Sequence, residues 1–526
     1  MSYPPGFVHE FIRRLESRHP PRLSNWDLPR YDLQGAFDRE LLATSSRPES
    51  FSLGTGASIF TKCLIPAITS ARHEIIFVTC FWAPSKTLTA LCNALTNLAA
   101  YRRQVIENAR STGSTVIPPL HVRICLSSRS LLQKLLHPQS RNGYTYPPAS
   151  WHKKLGLPKP ELLEAGGIHL EAKSLFFLPF SVMHPKFVII DRQRAFVPSC
   201  NVSWESWLEG CVEITGDAVR ALFAFYFRTW ESLADSRSDP SYNHNHSGTD
   251  VSQVKFDETD TDLMEIQSIA HHRSDFQFQE TVPTLILPSS HHCNPRFRPF
   301  PWQKAPTPPD TALNIASLQL FEQAQQSIYV QTPNLTCEAV LAALLDALAR
   351  GVNVTIVTSR NMMLLEQLLT AGTTTSWCIR SLIRRFRRLT TLTGGNHKTQ
   401  DGSSRLFCDL ETGRPRITGN RLGHLQISYF HPKTNDNPEP RERQPEITPP
   451  PPEEPVHSHL KLTLVDAEYA LLGSGNMDRA SWFTSQELGV LFQNREVCST
   501  IKTAVDSVLE GRLDSIFNSE EHVTSD

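Results

Sequence analysis

Short runs of consecutive apolar residues alternate with stretches of helical spacing, and the whole alternation occurs twice. In the N-terminal half, Cys63, Leu64 and Ile68 sit on a predicted helix, and Ala71-Arg-His-Glu-Ile-Ile-Phe-Val-Thr predicts the strand after it. Leu88, Leu91, Leu95 and Leu98 then recur at helical spacing, and His121-Val-Arg-Ile-Cys-Leu predicts the next strand. In the C-terminal half, Ala324-Gln-Gln-Ser-Ile-Tyr-Val-Gln-Thr has the same helix-to-strand junction. The helix predicted over Glu338 to Arg350 stops at Gly351, and Val352-Asn-Val-Thr-Ile-Val is the strand that follows. Each half closes on a helix, one after Asp217 with Val219, Leu222, Phe223 and Tyr226, the other from about Arg495 to Leu509. Alternating strands and helices predict an α/β fold built from parallel βαβ units, and the repetition predicts an internal duplication.

The breaks in this pattern set the expected organisation. An N-terminal extension covers 1–49, a first unit 50–235, a polar and proline-rich linker 236–309, a second unit 310–510 and a tail 511–526. Ser140 to Lys159 reads as an insertion in the first unit, and about 390–456, low in complexity and in part disordered by its composition, as an insertion in the second.

The chemistry lies in one string that each half carries. His184-Pro-Lys186-Phe-Val-Ile-Ile-Asp191 and His459-Leu-Lys461-Leu-Thr-Leu-Val-Asp466 both read H-x-K-x-x-x-x-D. A small-residue box follows each, with Ser199 and Asn201 in the first and Ser474 and Asn476 in the second, and then a glutamate, Glu213 or Glu487. On a strand, residues i and i+2 share a face, so His and Lys point the same way. The aspartate, seven positions from the histidine and at a turn, faces elsewhere and is expected to support the site. Two histidines and two lysines around one pocket suit phosphodiester chemistry. Lysines and Asn amides stabilise the growing charge, one imidazole attacks phosphorus, and the other serves as acid and base. A carboxylate behind each imidazole would fix its tautomer, with Glu213 and Glu487 as candidates and Glu209 as the fallback for Glu213. Each half is half a catalyst, so the two are expected to meet.

A duplicated motif of this kind resembles the phospholipase D superfamily, whose signature is a repeated HKD motif. The second copy, Gly473-Ser-Gly-Asn-Met-Asp-Arg-Ala-Ser481 with Glu487 after it, is similar to the box of the cardiolipin synthase-like branch. The resemblance covers roughly 50–235 and 310–510. It implies two tandem α/β/α sandwich units forming a pseudo-dimer with one shared site, and a metal-free, cofactor-free two-step transfer. It also implies that His184 is the nucleophile, that His459 is the acid and base, and that Lys186, Lys461, Asn201 and Asn476 hold the phosphate. The expected activity is a phosphodiesterase or phosphatidyltransferase acting on a phospholipid headgroup. A nuclease is the rival enzyme and a non-catalytic membrane adaptor the rival of another class. Pro198 in place of a small residue, and the lack of the two membrane spans typical of bacterial cardiolipin synthases, depart from the pattern.

Composition narrows this reading. The chain has 526 residues, and its 52 Lys and Arg against 53 Asp and Glu give a net charge of −1, which excludes a globally basic nucleic-acid binder. No apolar run approaches the roughly 18 residues of a membrane span. Eleven scattered cysteines without a C-x-x-C pair argue against a disulfide framework and for an intracellular protein, soluble or peripheral to a membrane. One local exception is basic: Arg380, Arg384, Arg385, Arg387 and Arg388, interleaved with Leu382, Ile383 and Phe386. This amphipathic stretch suits an anionic membrane surface, a nucleic acid or a solvated face. Phe7-Val-His-Glu-Phe-Ile-Arg-Arg-Leu is a weaker stretch of the same kind. Trp82, Trp204 and Trp482 are expected in the core, with Trp204 and Trp482 also placed to line a lipid pocket. The pairs His271-His272, His244-x-His246 and His291-His-Cys293 lack zinc spacing and read as loop, as does His431-Pro-Lys433.

Overall fold

The computed structural model describes residues 6–17, 41–113, 116–130, 133, 142–177, 181–231, 266–277, 280–289, 307–394, 422–433 and 452–520. The first unit contributes strands β1 (Ala43–Thr55), β2 (Glu74–Phe81), β3 (Leu120–Ser128), β4 (Ile168–Ser174), β5 (Phe187–Ile190), β6 (Arg194–Pro198) and β7 (Trp207–Thr215). A short β8 (His272–Asp275) leads into the second unit, with β9 (Val282–Ser289), β10 (Ser327–Thr332), β11 (Asn353–Ser359), β12 (Leu425–Phe430), β13 (Leu462–Val465), β14 (Tyr469–Gly473), β15 (Glu487–Gln493) and β16 (Leu513–Asn518).

The two sheets repeat each other strand for strand. The first runs β1-β7-β6-β5-β2-β3-β4, and the second runs β9-β15-β14-β13-β10-β11-β12 with β16 added at its edge. In each, the strand after the motif lysine is central and antiparallel to β2 or β10, while β2-β3-β4 and β10-β11-β12 are parallel, as helical crossovers require. The sheets join where Ala43–Ser46 of β1 pair antiparallel with Val282–Leu285 of β9. The duplication and the mixed α/β class are therefore visible directly in the registers.

Helices cover the faces. The outer layer of the first unit is α1 (Lys86–Thr112) with the helical residues around Phe60, Leu64 and Ile68. The inner core joins both units through α2 (Asp217–Trp230) and α3 (Arg495–Leu509), whose Leu222, Phe225, Ile501 and Val505 are buried together with Phe187, Leu460 and Leu472. The outer layer of the second unit is α4 (Ala312–Gln323), α5 (Glu338–Ala349) and the arginine-bearing α6 (Thr375–Gly394), packed through Leu344, Leu348, Leu382 and Phe386. The N-terminal helix, Phe7–Glu16, buries Phe7, Val8 and Phe11 in this layer, and its Arg14 pairs with Glu322. Its apolar face is thus occupied by protein, which removes it as a membrane element.

Several elements lie across the expected boundaries or within the expected insertions. The first unit starts at Ala43 rather than 50, because β1 has to reach β9. Residues 282–289, placed in the linker, form the buried strand β9 despite Pro283 and Pro288. Pro283 lies where only β1 is alongside and Pro288 where only β15 is, so neither takes a doubly bonded position. The insertion at about 390–456 contains β12, an integral strand, and the stretch 140–159 contains helical turns over Pro148–Leu155. The core of the linker, the His244 and His291 clusters and most of 434–455 lie outside the described residues.

Candidate active site

The two H-x-K segments precede β5 and β13, and each leaves its own sheet to lie beside the other unit. The His459 N–H donates to the Leu208 carbonyl (2.8 Å), and His457 and Ser458 pair in parallel with Trp207 and Leu208. The His184 N–H donates to the Gln486 carbonyl (3.0 Å), and Gln486 donates back to Val182 (2.9 Å). Backbone pairing therefore sets each motif histidine next to the residue preceding a glutamate of the opposite unit.

The side chains cross in the same way. His184 Nδ1 lies 2.8 Å from a carboxylate oxygen of Glu487, and His459 Nδ1 lies 2.8 Å from one of Glu209. Ser474 Oγ donates to Glu487 and Ser199 Oγ to Glu209, each at 2.5 Å, and each hydroxyl in turn accepts the N–H of the next residue on the strand. The two serines hold the carboxylates. Lys186 Nζ donates to its own His184 carbonyl (2.9 Å), and Lys461 Nζ sits 2.8 Å from Nε2 of His459.

Burial governs the charges. It lowers the pKa of His184, and it pushes His459 down to about 3 and Lys461 down to about 7. The partner carboxylates oppose this only in part, and the charge of each unit's lysine reaches the other unit's imidazole. Burial alone would raise Glu209 and Glu487, but the imidazoles and serine hydroxyls outweigh it and hold both below the usual carboxylate value. At neutral pH each pair is thus a carboxylate with a neutral imidazole. With Nδ1–H donated to the glutamate, the Nε2 lone pair faces the site.

Several expected residues stand elsewhere. Glu213 does not back an imidazole: Arg194 and Ser50 take its carboxylate. Counting from the asparagine failed because the second unit inserts a short helix, Arg479–Phe483, between box and strand, so Ser474 lies 13 residues before Glu487 while Ser199 lies 10 before Glu209. The readable signal was that Glu487 opens its strand, as Glu209 nearly does. Asp191 and Asp466 do not reach the imidazoles either. Each carboxylate accepts backbone N–H bonds from three residues, Arg72, His73 and Glu74 for Asp191 and Gln325, Gln326 and Ser327 for Asp466. Asn201 Oδ1 accepts from the Phe81 N–H (3.2 Å), and Asn476 Nδ2 donates to Asp478 (3.0 Å). Trp82 and Trp482 are buried as expected, whereas Trp204 is 62% exposed. Trp207, not singled out from sequence, packs its ring 4.9 Å from that of His459.

Comparison with known proteins gives one family match, in the second unit. Residues 317–509 match the family model of the cardiolipin synthase PLD-like domain, a span that includes His459, Lys461, Asn476 and Glu487. The match lies within the second unit and is to a phospholipase D-like domain. Among solved structures, phosphatidylserine synthase from Haemophilus influenzae Rd KW20 covers 91% of this chain and 90% of its own at 14% identity and a TM-score of 0.48. Polyphosphate kinase from Porphyromonas gingivalis covers 87% of this chain and 47% of its own, at 10% identity and a TM-score of 0.39. Nuc, a phospholipase D family member from Salmonella typhimurium, covers 39% of this chain and 90% of its own, at 14% identity and a TM-score of 0.23. No curated protein matches the chain.

Proposed function

We propose that this protein is a phospholipase D-like phosphodiesterase or phosphatidyltransferase that cleaves or exchanges a phospholipid headgroup through a phosphohistidine. The observation that carries this reading is the crossed pair of imidazole–glutamate couples, His184 with Glu487 and His459 with Glu209. In the first step Nε2 of His184 attacks phosphorus, the ester P–O bond breaks, and His459 gives a proton to the departing oxygen. In the second, His459 takes a proton from water or an alcohol, whose oxygen attacks phosphorus and releases His184. Lys186 and Lys461 offset the charge that grows on the phosphoryl oxygens. His459 starts neutral, and a bound phosphodiester anion raises its proton affinity. Nε2 takes up that proton from solvent as the substrate binds, which leaves Lys461, 2.8 Å away, to face the phosphoryl oxygens. The name of the matched family model supports a phospholipid as the substrate.

The test is mass spectrometry of products from mixed phospholipid vesicles given a primary alcohol, with wild type beside His184→Ala and His459→Ala. A phosphatidyl-alcohol formed by wild type alone is the expected result. Full activity in a correctly melting His184→Ala protein would sink the proposal. Turnover of nucleic acid with no lipid product would replace the substrate and keep the chemistry.

A further inference from the structure

The sequence left the arginine-rich stretch with three readings, and the structure adds a neighbour that separates them. Helix α6 (Thr375–Gly394) buries Ile379, Leu382, Phe386 and Leu389 and leaves Trp377, Arg380, Arg384, Arg387 and Arg388 outside. At 100° per residue these five fall within an arc of about 100°, one continuous stripe. Arg385, to the side of it, is taken by Glu338. Among the described residues no carboxylate pairs with the four stripe arginines, although Arg387 also lies over the Phe517 ring. Just before this helix comes another, Leu364–Ala371, whose inner side is held by the buried Gln367: its amide donates to the Met362 carbonyl (2.6 Å) and accepts the Thr375 N–H (2.6 Å). Its outer side exposes four leucines, with Leu365 at 72% and Leu369 at 55%, and one carboxylate, Glu366.

We propose that the exposed leucines, Trp377 and the arginine stripe, linked where Gln367 bonds Thr375 at the start of α6, together form a docking surface for an anionic lipid bilayer. Adjacent exposed leucines gain nothing from solvent and find an apolar phase at the acyl boundary, while tryptophan and arginine suit the headgroup layer just above it. Four arginines match the negative charge of anionic headgroups. A nucleic acid would use the arginines but would leave the leucines in water, since bases stack on rings. The surface is placed to matter: the leucine helix packs on Arg479–Phe483, the helix that starts three residues beyond Asn476. Docking there would seat the second motif's phosphate site at the lipid headgroup layer.

The experiment is vesicle flotation of the full chain with phosphatidylcholine alone and with added phosphatidylglycerol. Wild type is compared with Leu365→Ser/Leu369→Ser and with Arg380→Gln/Arg384→Gln/Arg387→Gln/Arg388→Gln. Wild type is expected to float only with the anionic vesicles. Each variant should bind at least about tenfold more weakly, as loss of several basic or apolar interfacial residues implies. Melting temperature and hydrolysis of soluble bis(p-nitrophenyl) phosphate should stay as in wild type. Absence of wild-type binding, or flotation of both variants like wild type, would overturn the docking surface. So would an arginine variant that loses affinity for single-stranded DNA while keeping vesicles, because it would assign the stripe to nucleic acid. Failure of wild type to hydrolyse the soluble diester would count against the proposed chemistry and leave the docking result standing.

Discussion

Glu209 and Glu213 sit four residues apart on one strand and one face, yet only Glu209 touches an imidazole. Glu209→Gln should lower turnover on the order of a hundredfold or more, because the imidazole loses the acceptor that fixes its tautomer. Glu213→Gln should leave turnover near wild type and cost stability through Arg194, a contrast read by steady-state kinetics beside thermal melting. The pH response of stability follows from His459. Its pKa falls from an ordinary 6.5 to about 3 on folding, so protonation favours the unfolded chain. Stability should therefore fall as pH drops from 6.5 towards 3, and the fall between 6.5 and 5 should be shallower in His459→Gln when urea midpoints are compared. Lys461 acts at the other end: held at about 7 against an ordinary 10.5, it should make the protein more stable as pH rises from 7 towards 10.5. At this scale the residues that the structure gathers at the junction, His184, Lys186, His459 and Lys461, are legible from spacing alone. It named Glu487 but put Glu213 ahead of Glu209 in the first unit, because a connection of different length in each copy defeats counting.

The motif aspartates act at the scale of the element. Asp191 and Asp466 both adopt left-handed backbone, with φ of 51° and 54°, at the turn between two antiparallel strands. Aspartate tolerates that conformation better than most residues, and here its carboxylate gathers the N–H groups that lead into β2 or β10. The turn is thereby tied to the strand that pairs with the motif strand, which holds the H-x-K segment at its far end. Asp466→Ala should destabilise the protein by about 2–4 kcal/mol, the worth of losing charge-assisted backbone bonds plus a strained turn. Turnover per folded molecule, measured well below the melting temperature, should change little. Odd spacing from the histidine already placed these aspartates off the catalytic face. The strand β9 was hidden for the opposite reason: its two prolines read locally as linker, and only the one-sided pairing with β1 and β15 makes them tolerable.

At the scale of the whole molecule, duplication has become interdependence. Neither unit holds a complete imidazole–carboxylate couple, since each histidine is oriented by the other unit's glutamate and each H-x-K backbone is bonded across the junction. Periodicity could reveal two copies and imply that they meet, but the exchange of glutamates depends on two sheets joined through β1 and β9, which no local pattern encodes. If the proposed mechanism holds, the exchange also separates its two chemical steps. In the proposed mechanism His184 with Glu487 serves the attack, and His459 with Glu209 the proton transfer. An ester whose leaving group needs no proton, such as bis(p-nitrophenyl) phosphate, lets the first step run without the second couple. His459→Ala and Glu209→Gln should then release one equivalent of nitrophenol rapidly and stall, with the phosphoryl adduct on His184 detectable by intact-protein mass spectrometry. His184→Ala and Glu487→Gln should show no burst. If the burst instead survives in His184→Ala and disappears in His459→Ala, the nucleophile is His459 and the assignment of roles between the two units is reversed, with the crossed architecture unchanged.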